Sequence, residues 1–195
     1  MGAALQEARA AAARGEVPVG AVLLGPDGAV LAQAGNQVEA DRDASAHAEL
    51  LVMRAGARRL GTPRLIGCTL FVTLEPCAMC AMALIHARFK RVVFGARDPK
   101  TGAAGSVLNL FELAQLNHQT RVAGGCLEAE CGTLLRDFFV ERRAAHKARQ
   151  AALRPQAEAE PDTIPVADVT VDDAIPVGLA IEIDLASPDA RGAPQ

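Results

Sequence analysis

Four side chains in this sequence are of types and at spacings that could do chemistry: His47, Glu49, Cys77 and Cys80. Cys77 and Cys80 form a Cys-x-x-Cys pair at the expected start of a helix. One turn there puts both sulfurs on the same face, and the helix N-terminus favours thiolate over thiol. Alone, such a pair reads equally as a disulfide, a redox couple or half a zinc site. Upstream, Ala46-His47-Ala48-Glu49 adds an imidazole and a carboxylate. One imidazole and two thiolates suit Zn²⁺, and three protein ligands leave a coordination position open, as in catalytic rather than structural sites. Zinc in such a site acidifies water to near neutral pH and readies it to attack an electrophilic carbon. Glu49 is not needed as a ligand, so it is free to carry protons. Taken singly, each residue has a bland reading: a packed histidine, a glutamate answering the helix dipole, an idle Cys-x-x-Cys. Their conjunction makes a catalytic zinc the expectation.

The elements that must position these groups come from a chain of 195 residues, half of them apolar, with no Trp or Tyr and only six Phe. That is enough for one good core built from aliphatic side chains and Ala, plus an extension. No apolar run reaches the roughly 18 residues of a membrane span. The start, Met1 to Gln6, has neither a secretory pattern nor the Ser or Thr of a myristoylation site. With five scattered cysteines, reduced thiols and a cytoplasmic location are expected. The net charge of −3 is unevenly distributed. Residues 1–150 carry 18 Lys or Arg against 14 Asp or Glu, and residues 151–195 carry 2 against 9. Two segments follow: a mildly basic domain over 1–150 and an acidic, Pro-rich tail over 151–195 whose composition predicts disorder. Within the tail only Ile175 to Leu185 alternates weakly enough to suggest a strand.

Along the domain, residues 3–14 read as an Ala-rich helix ended by Gly15. Val17 to Leu24 reads as a strand, Gly25-Pro26-Asp27-Gly28 as a turn, and Ala29 to Gly35 as the returning strand of a hairpin. Asn36 to Ser45 is a polar loop. It leads, with Ser45 as the expected N-cap, into a helix that carries His47 and Glu49 and runs to about Leu60. Thr69 to Thr73 is a short strand expected to be fully buried, and it delivers Cys77 and Cys80 on the next helix. Arg91 to Gly95 is another strand, Ala96 to Ser106 a Gly/Ala-rich loop, and 127–150 a long helix ending in the basic run Arg142 to Arg149. That run reads by default as a solvated face. Strands alternating with helices predict an α/β fold of three layers, α/β/α, with parallel pairs toward one edge and the site beyond the carboxyl ends of the strands.

His47, Glu49, Pro76, Cys77 and Cys80 reproduce the known His-x-Glu…Pro-Cys-x-x-Cys signature of zinc nucleobase deaminases. Longer stretches resemble one branch of them, the bacterial tRNA-specific adenosine deaminases. These are Glu16 to Val22, Thr73 to Cys80, Arg91 to Asp98, Lys100 to Ser106 and Asp137-Phe138-Phe139. The similarity covers residues 3–150, and the Gly95-Ala96-Arg97-Asp98…Lys100 to Ser106 loop separates this branch from its relatives.

The resemblance implies a cytidine-deaminase-like α/β/α sandwich around a mixed five-stranded sheet, assembled as a homodimer. It also implies hydrolysis of the wobble adenosine of a tRNA, an arginine tRNA, to inosine. By the same resemblance His47, Cys77 and Cys80 hold one Zn²⁺ per subunit and Glu49 shuttles protons. Asn36 and the Ala48 amide meet the flipped base, Val19 lines its pocket, and Asp98 with its loop touches the anticodon strand. Three departures from the family pattern stand out: a helix that begins almost at Met1, Ala44-Ser45 where Pro-Thr is usual, and Gln37 where Arg often follows Asn36. The alternatives are a zinc deaminase of a free nucleobase or nucleotide, of guanine or cytosine type, and a non-catalytic zinc or RNA-binding scaffold. Glu49 speaks against the scaffold, since a structural site has no use for a proton carrier.

Overall fold

The computed structural model describes residues 1–157. Its elements run α1 (Gly2–Ala13), β1 (Gly20–Leu24), β2 (Val30–Gly35), α2 (Val38–Asp41), α3 (Ala48–Leu60), β3 (Thr69–Leu74), α4 (Ala78–His86), β4 (Arg91–Ala96), a 3₁₀ turn at Leu110–Glu112, β5 (Arg121–Ala123) and α5 (Glu128–Ala157). The strands form one sheet in the order β2-β1-β3-β4-β5. β1 pairs antiparallel with β2 and β3, while β3–β4 and β4–β5 are parallel. This is the expected mixed five-stranded sheet.

Alternation along β1 sends its side chains to two layers. On one face Ala21 and Leu23 join Ala48 and Val52 of α3, Leu84 of α4, and Leu65, Leu70, Val72, Phe89, Val92 and Phe94. A fully buried Leu or Phe of this kind contributes about 1.5–3 kcal/mol. On the other face α1 lies almost directly on the strand backbones. A Cβ at Gly20 would stand 2.1 Å from the Ala4 carbonyl oxygen, and one at Gly35 2.6 Å from that of Glu7. The helix therefore presents Ala4, Ala8 and Ala11, all buried, at helical spacing. Beside them Leu5, Ala96 and Cys131 bring the start of α5 onto the same face, which completes the α/β/α layering.

Several local expectations shift. β1 begins at Gly20 rather than Val17, because Pro18 lacks an N–H and the Val19 amide bonds back to the Val17 carbonyl. The polar loop contains α2, a single turn. Ser45 is not the cap of α3; His47 occupies that position, while the Ser45 hydroxyl donates to Asp43 Oδ1. β3 is only partly buried, since Thr69, Phe71 and Leu74 retain exposure. β5, three residues long, has no counterpart in the residue-by-residue reading. The stretch Ile175 to Leu185 lies outside the described residues. Among the described residues, no helix is long and apolar enough to cross a membrane.

Candidate active site

The site sits where β2 and β3 run out, β1 starts, and α3 and α4 begin. His47 and Cys77 are the N-cap residues of α3 and α4, both in extended backbone, and Cys80 follows within the first turn of α4. Two helix N-termini thus converge on one point, each holding a ligand where the helix dipole stabilises negative charge. His47 Nδ1 lies 3.4 Å from Cys80 Sγ and 3.8 Å from Cys77 Sγ. Tetrahedral zinc, with Zn–S of about 2.3 Å and Zn–N of about 2.0–2.1 Å, needs N···S edges of about 3.6 Å. Side-chain geometry and donor types therefore fit zinc, and among the described residues His47, Cys77 and Cys80 are the one such cluster.

The electrostatics set the two sulfurs apart, favouring a thiolate at Cys77 and a thiol at Cys80. The hydrogen bond from Cys80, helped by His47, draws Cys77 down to about 4 against the opposing effect of burial. Its hydrogen bond to Cys77, together with burial, pushes Cys80 up. The Cys77 hydrogen bond raises His47, against burial. Glu49 is 4 % exposed, and burial raises its pKa. A carboxyl group with a raised pKa beside a metal site is suited to taking up and returning a proton.

Above this floor opens a cavity of about 300 Å³ lined by Val19, Asn36, His47, Glu49, Cys77, Asp98 and Thr101, and by Phe138, Phe139 and Arg142 of α5. Val19, Asn36 and Asp98, named from the sequence, are thus brought together. Ala48 is buried, and its amide donates to Asn36 Oδ1 at 2.9 Å, so the two act as one unit. Because that partner is an N–H, the accepting atom must be the oxygen, which leaves Nδ2 as Asn36's donor. Beside the cavity runs a groove lined by Arg97, Lys100, Arg136 and Arg143 along with Leu135, Phe139 and Val140. The basic run is exposed throughout, as expected of a solvated face, and within it Arg142 lines the cavity, 5.7 Å from the Phe138 ring centroid, while Arg143 lines the groove.

Residue types and spacing had not revealed two further buried side chains. Glu16, 1 % exposed, accepts the Glu39 and Ala40 amides at 3.0 and 2.9 Å and so caps α2, next to Asn36. Glu75, 2 % exposed, accepts the amides of Asp98, Ala104 and Ser106 and the Ser106 hydroxyl. Burial raises Glu75, but these hydrogen bonds outweigh it and hold the carboxyl below its ordinary value. Both lie within stretches that carry the family resemblance, Glu16 to Val22 and Thr73 to Cys80, but nothing in their local spacing marks them as clamps.

With this geometry in hand, comparison with known proteins gives consistent results. Residues 1–96 match the family model of the cytidine and deoxycytidylate deaminase zinc-binding region. The chain is 48 % identical over 150 residues to a tRNA-specific adenosine deaminase of Bacillus subtilis, covering 77 % of this chain and 92 % of that one. It superposes with a TM-score of 0.67, at 46 % identity and over 69 % of this chain and 97 % of the other, on a structure solved in work on A-to-I editing by tRNA:A34 deaminases. A guanine deaminase of Nitrosomonas europaea superposes at 0.62 with 26 % identity, over 70 % of this chain and 81 % of that one.

Proposed function

The chain belongs to the tRNA-specific adenosine deaminase family, and we propose that it converts the wobble adenosine of a tRNA anticodon to inosine by hydrolytic deamination. The observation that carries the chemistry is buried Glu49 beside the zinc-fitting His47, Cys77 and Cys80 at the floor of a cavity of about 300 Å³, with room for a purine base. When bound, zinc supplies Lewis acidity that brings the ionisation of water near neutral pH. In the reaction a C6–O bond forms, the bond from C6 to the exocyclic nitrogen breaks, and ammonia leaves. Glu49 accepts one proton of the attacking water and passes it to the ring nitrogen N1, then takes the second from the new C6 hydroxyl and delivers it to the departing amine as the C6=O bond forms.

Around the base, Asn36 Nδ2 donates to an acceptor on the purine while the Ala48 amide fixes the Asn36 side chain. Val19 packs against the ring, and Asp98 with its loop meets the flanking strand. Such a cavity admits only an unstacked base, which costs little in a single-stranded anticodon loop. Arg97, Lys100, Arg136 and Arg143 line the adjoining groove, a suitable path for the phosphates of that strand. An arginine tRNA, a homodimer and a cytoplasmic setting complete the assignment. The domain is taken as residues 1–150, with 151–195 an acidic extension.

The test is incubation of the zinc-loaded protein with an anticodon stem-loop bearing an unmodified wobble adenosine, scoring inosine by mass, with free adenosine, guanine and cytosine in parallel. Inosine at that one position is expected. Turnover of a free base with silence on RNA would move the substrate to the free nucleobases. Silence on every substrate, with zinc confirmed, would make the centre structural.

A further inference from the structure

Glu75, Pro76 and Cys77 are consecutive, and their groups point to different tasks. The Cys77 sulfur belongs to the metal floor, whereas the Glu75 carboxylate turns into the loop between Ala96 and Ser106. Its Oε1 accepts the Ala104 and Ser106 amides at 2.9 and 3.0 Å. Its Oε2 accepts the Asp98 amide at 3.1 Å and the Ser106 hydroxyl. The surrounding backbone follows the same plan. The Ala103 amide donates to the Pro76 carbonyl at 2.8 Å, and Gly102 bridges to Cys77. A Cβ at Gly102 would stand 2.6 Å from Glu75 Cδ and 2.6 Å from the Asp98 carbonyl oxygen, so the loop closes around the carboxylate only because that position is glycine. The Asp98 side chain is spent inside the loop, accepting the Lys100 amide and the Thr101 hydroxyl, so its place depends on its backbone anchor.

We infer that Glu75 is a positioning residue for substrate specificity. By gathering three loop amides and one hydroxyl two residues from a metal ligand, it fixes the distance between the chemical floor and the wall, carrying Asp98 and Thr101, that meets the strand flanking the target base. This rests on the proposed tRNA substrate for what the wall contacts, but not for the anchoring itself. Glu75 does not touch the reacting atoms.

Glu75→Gln separates the two ends of the clamp. Ala104 and Ser106 present amides that can only donate, so they keep the side-chain oxygen. The new NH₂ then faces the Ser106 hydroxyl, which can rotate to accept, and the Asp98 N–H, which cannot. In the zinc-loaded full chain, amide exchange at Asp98 should rise about tenfold or more, the effect of losing one hydrogen bond to a charged group, with Ala104 nearly unchanged. KM for the stem-loop should rise by a similar factor while kcat at saturation and zinc content stay within about threefold of wild type. Ser106→Ala should move the same readouts in the same direction by less, and it serves if the glutamine variant is recovered poorly. Unchanged exchange at Asp98 in both variants, or a fall in kcat with KM unchanged, would overturn the inference. If the wild type leaves the stem-loop unedited, the tRNA substrate is wrong, and exchange at Asp98 decides the anchoring independently.

Discussion

The cavity has two walls, each hung from a buried glutamate, and the two glutamates order different things. Glu16 accepts the first amides of α2. That turn keeps bonds of its own, with the Asp41 amide on the Gln37 carbonyl and the Asp43 amide on that of Val38. Glu75 gathers amides from a loop with little repeating structure, so no helical ladder takes over if it is lost. The first glutamate caps a helical turn, and the second, with three amides and a hydroxyl, ties together a loop otherwise held by scattered turn bonds such as the Gly102 amide on the Asp98 carbonyl. The wall carrying Asn36 should therefore tolerate loss of its clamp better than the wall carrying Asp98.

The largest effect comes from removing what both walls face. Stripping zinc with a chelator should reduce inosine formation to background, with recovery on re-addition. Metal at a hundredfold over its dissociation constant adds about 2.7 kcal/mol, so the melting temperature should fall on the order of 5–10 °C. Next, Glu49→Gln should lower turnover by about 10²–10⁴-fold while zinc stoichiometry, read by metal analysis, stays at wild type. Activity within a few fold of wild type would remove Glu49 from proton transfer and leave both walls enclosing a different chemistry.

The third test addresses the comparison directly. Glu75→Gln leaves the Asp98 N–H facing a donor, at a cost of about 1–3 kcal/mol, whereas in Glu16→Gln a single oxygen still accepts both the Glu39 and Ala40 amides. The stem-loop KM should respond about tenfold to the former and only a few fold to the latter. Equal responses would mean that α2 depends on its cap as fully as the 98–106 loop depends on Glu75. Reversing Arg142 and Arg143 to Glu acts outside both clamps. It should flatten the dependence of log affinity on log salt by roughly 0.7 for each phosphate these arginines neutralise, and an unchanged slope would return them to solvent.

The smallest effect belongs to Asp43, on the Glu16 side. The Ser45 hydroxyl and amide, with Arg54 adding charge, hold its carboxyl below the ordinary value despite some opposing burial. Its contribution is present above the unfolded-state pKa, near 3.9, and is lost as pH falls through the lower folded value. The melting temperatures of wild type and Asp43→Asn should differ slightly at pH 6 and converge in acid.

The chemical floor was legible in the sequence because its ligands lie at helix N-termini, where short spacings such as Cys-x-x-Cys translate directly into shared faces. Parallel pairs toward one edge, found as β3–β4 and β4–β5, followed from the alternation of strands with helices. The clamps were not legible, since Glu16 and Glu75 reach partners 23 to 31 positions away and no local pattern records that distance. Ser45 was misread as a cap because it has the right chemistry two positions too early. His47 takes the cap position without a side-chain capping bond, its ring turned instead toward Cys77 and Cys80. β5 escaped notice because three residues carry too little periodicity to register.

The near-contact of α1 with the glycine backbones of β1 and β2 bears on how this chain can vary through descent. Adding or removing one residue inside α1 turns everything beyond it by about 100°. In place of an alanine, Glu7 or Arg9 would then be swung against strands that leave no room for a side chain. The tip of the hairpin at 26–28, open to solvent, can lengthen or shorten, whereas α1 can change only by substitution. Relatives that differ in length should therefore carry their extra residues ahead of α1 or in the hairpin turn, and never between Ala4 and Ala11.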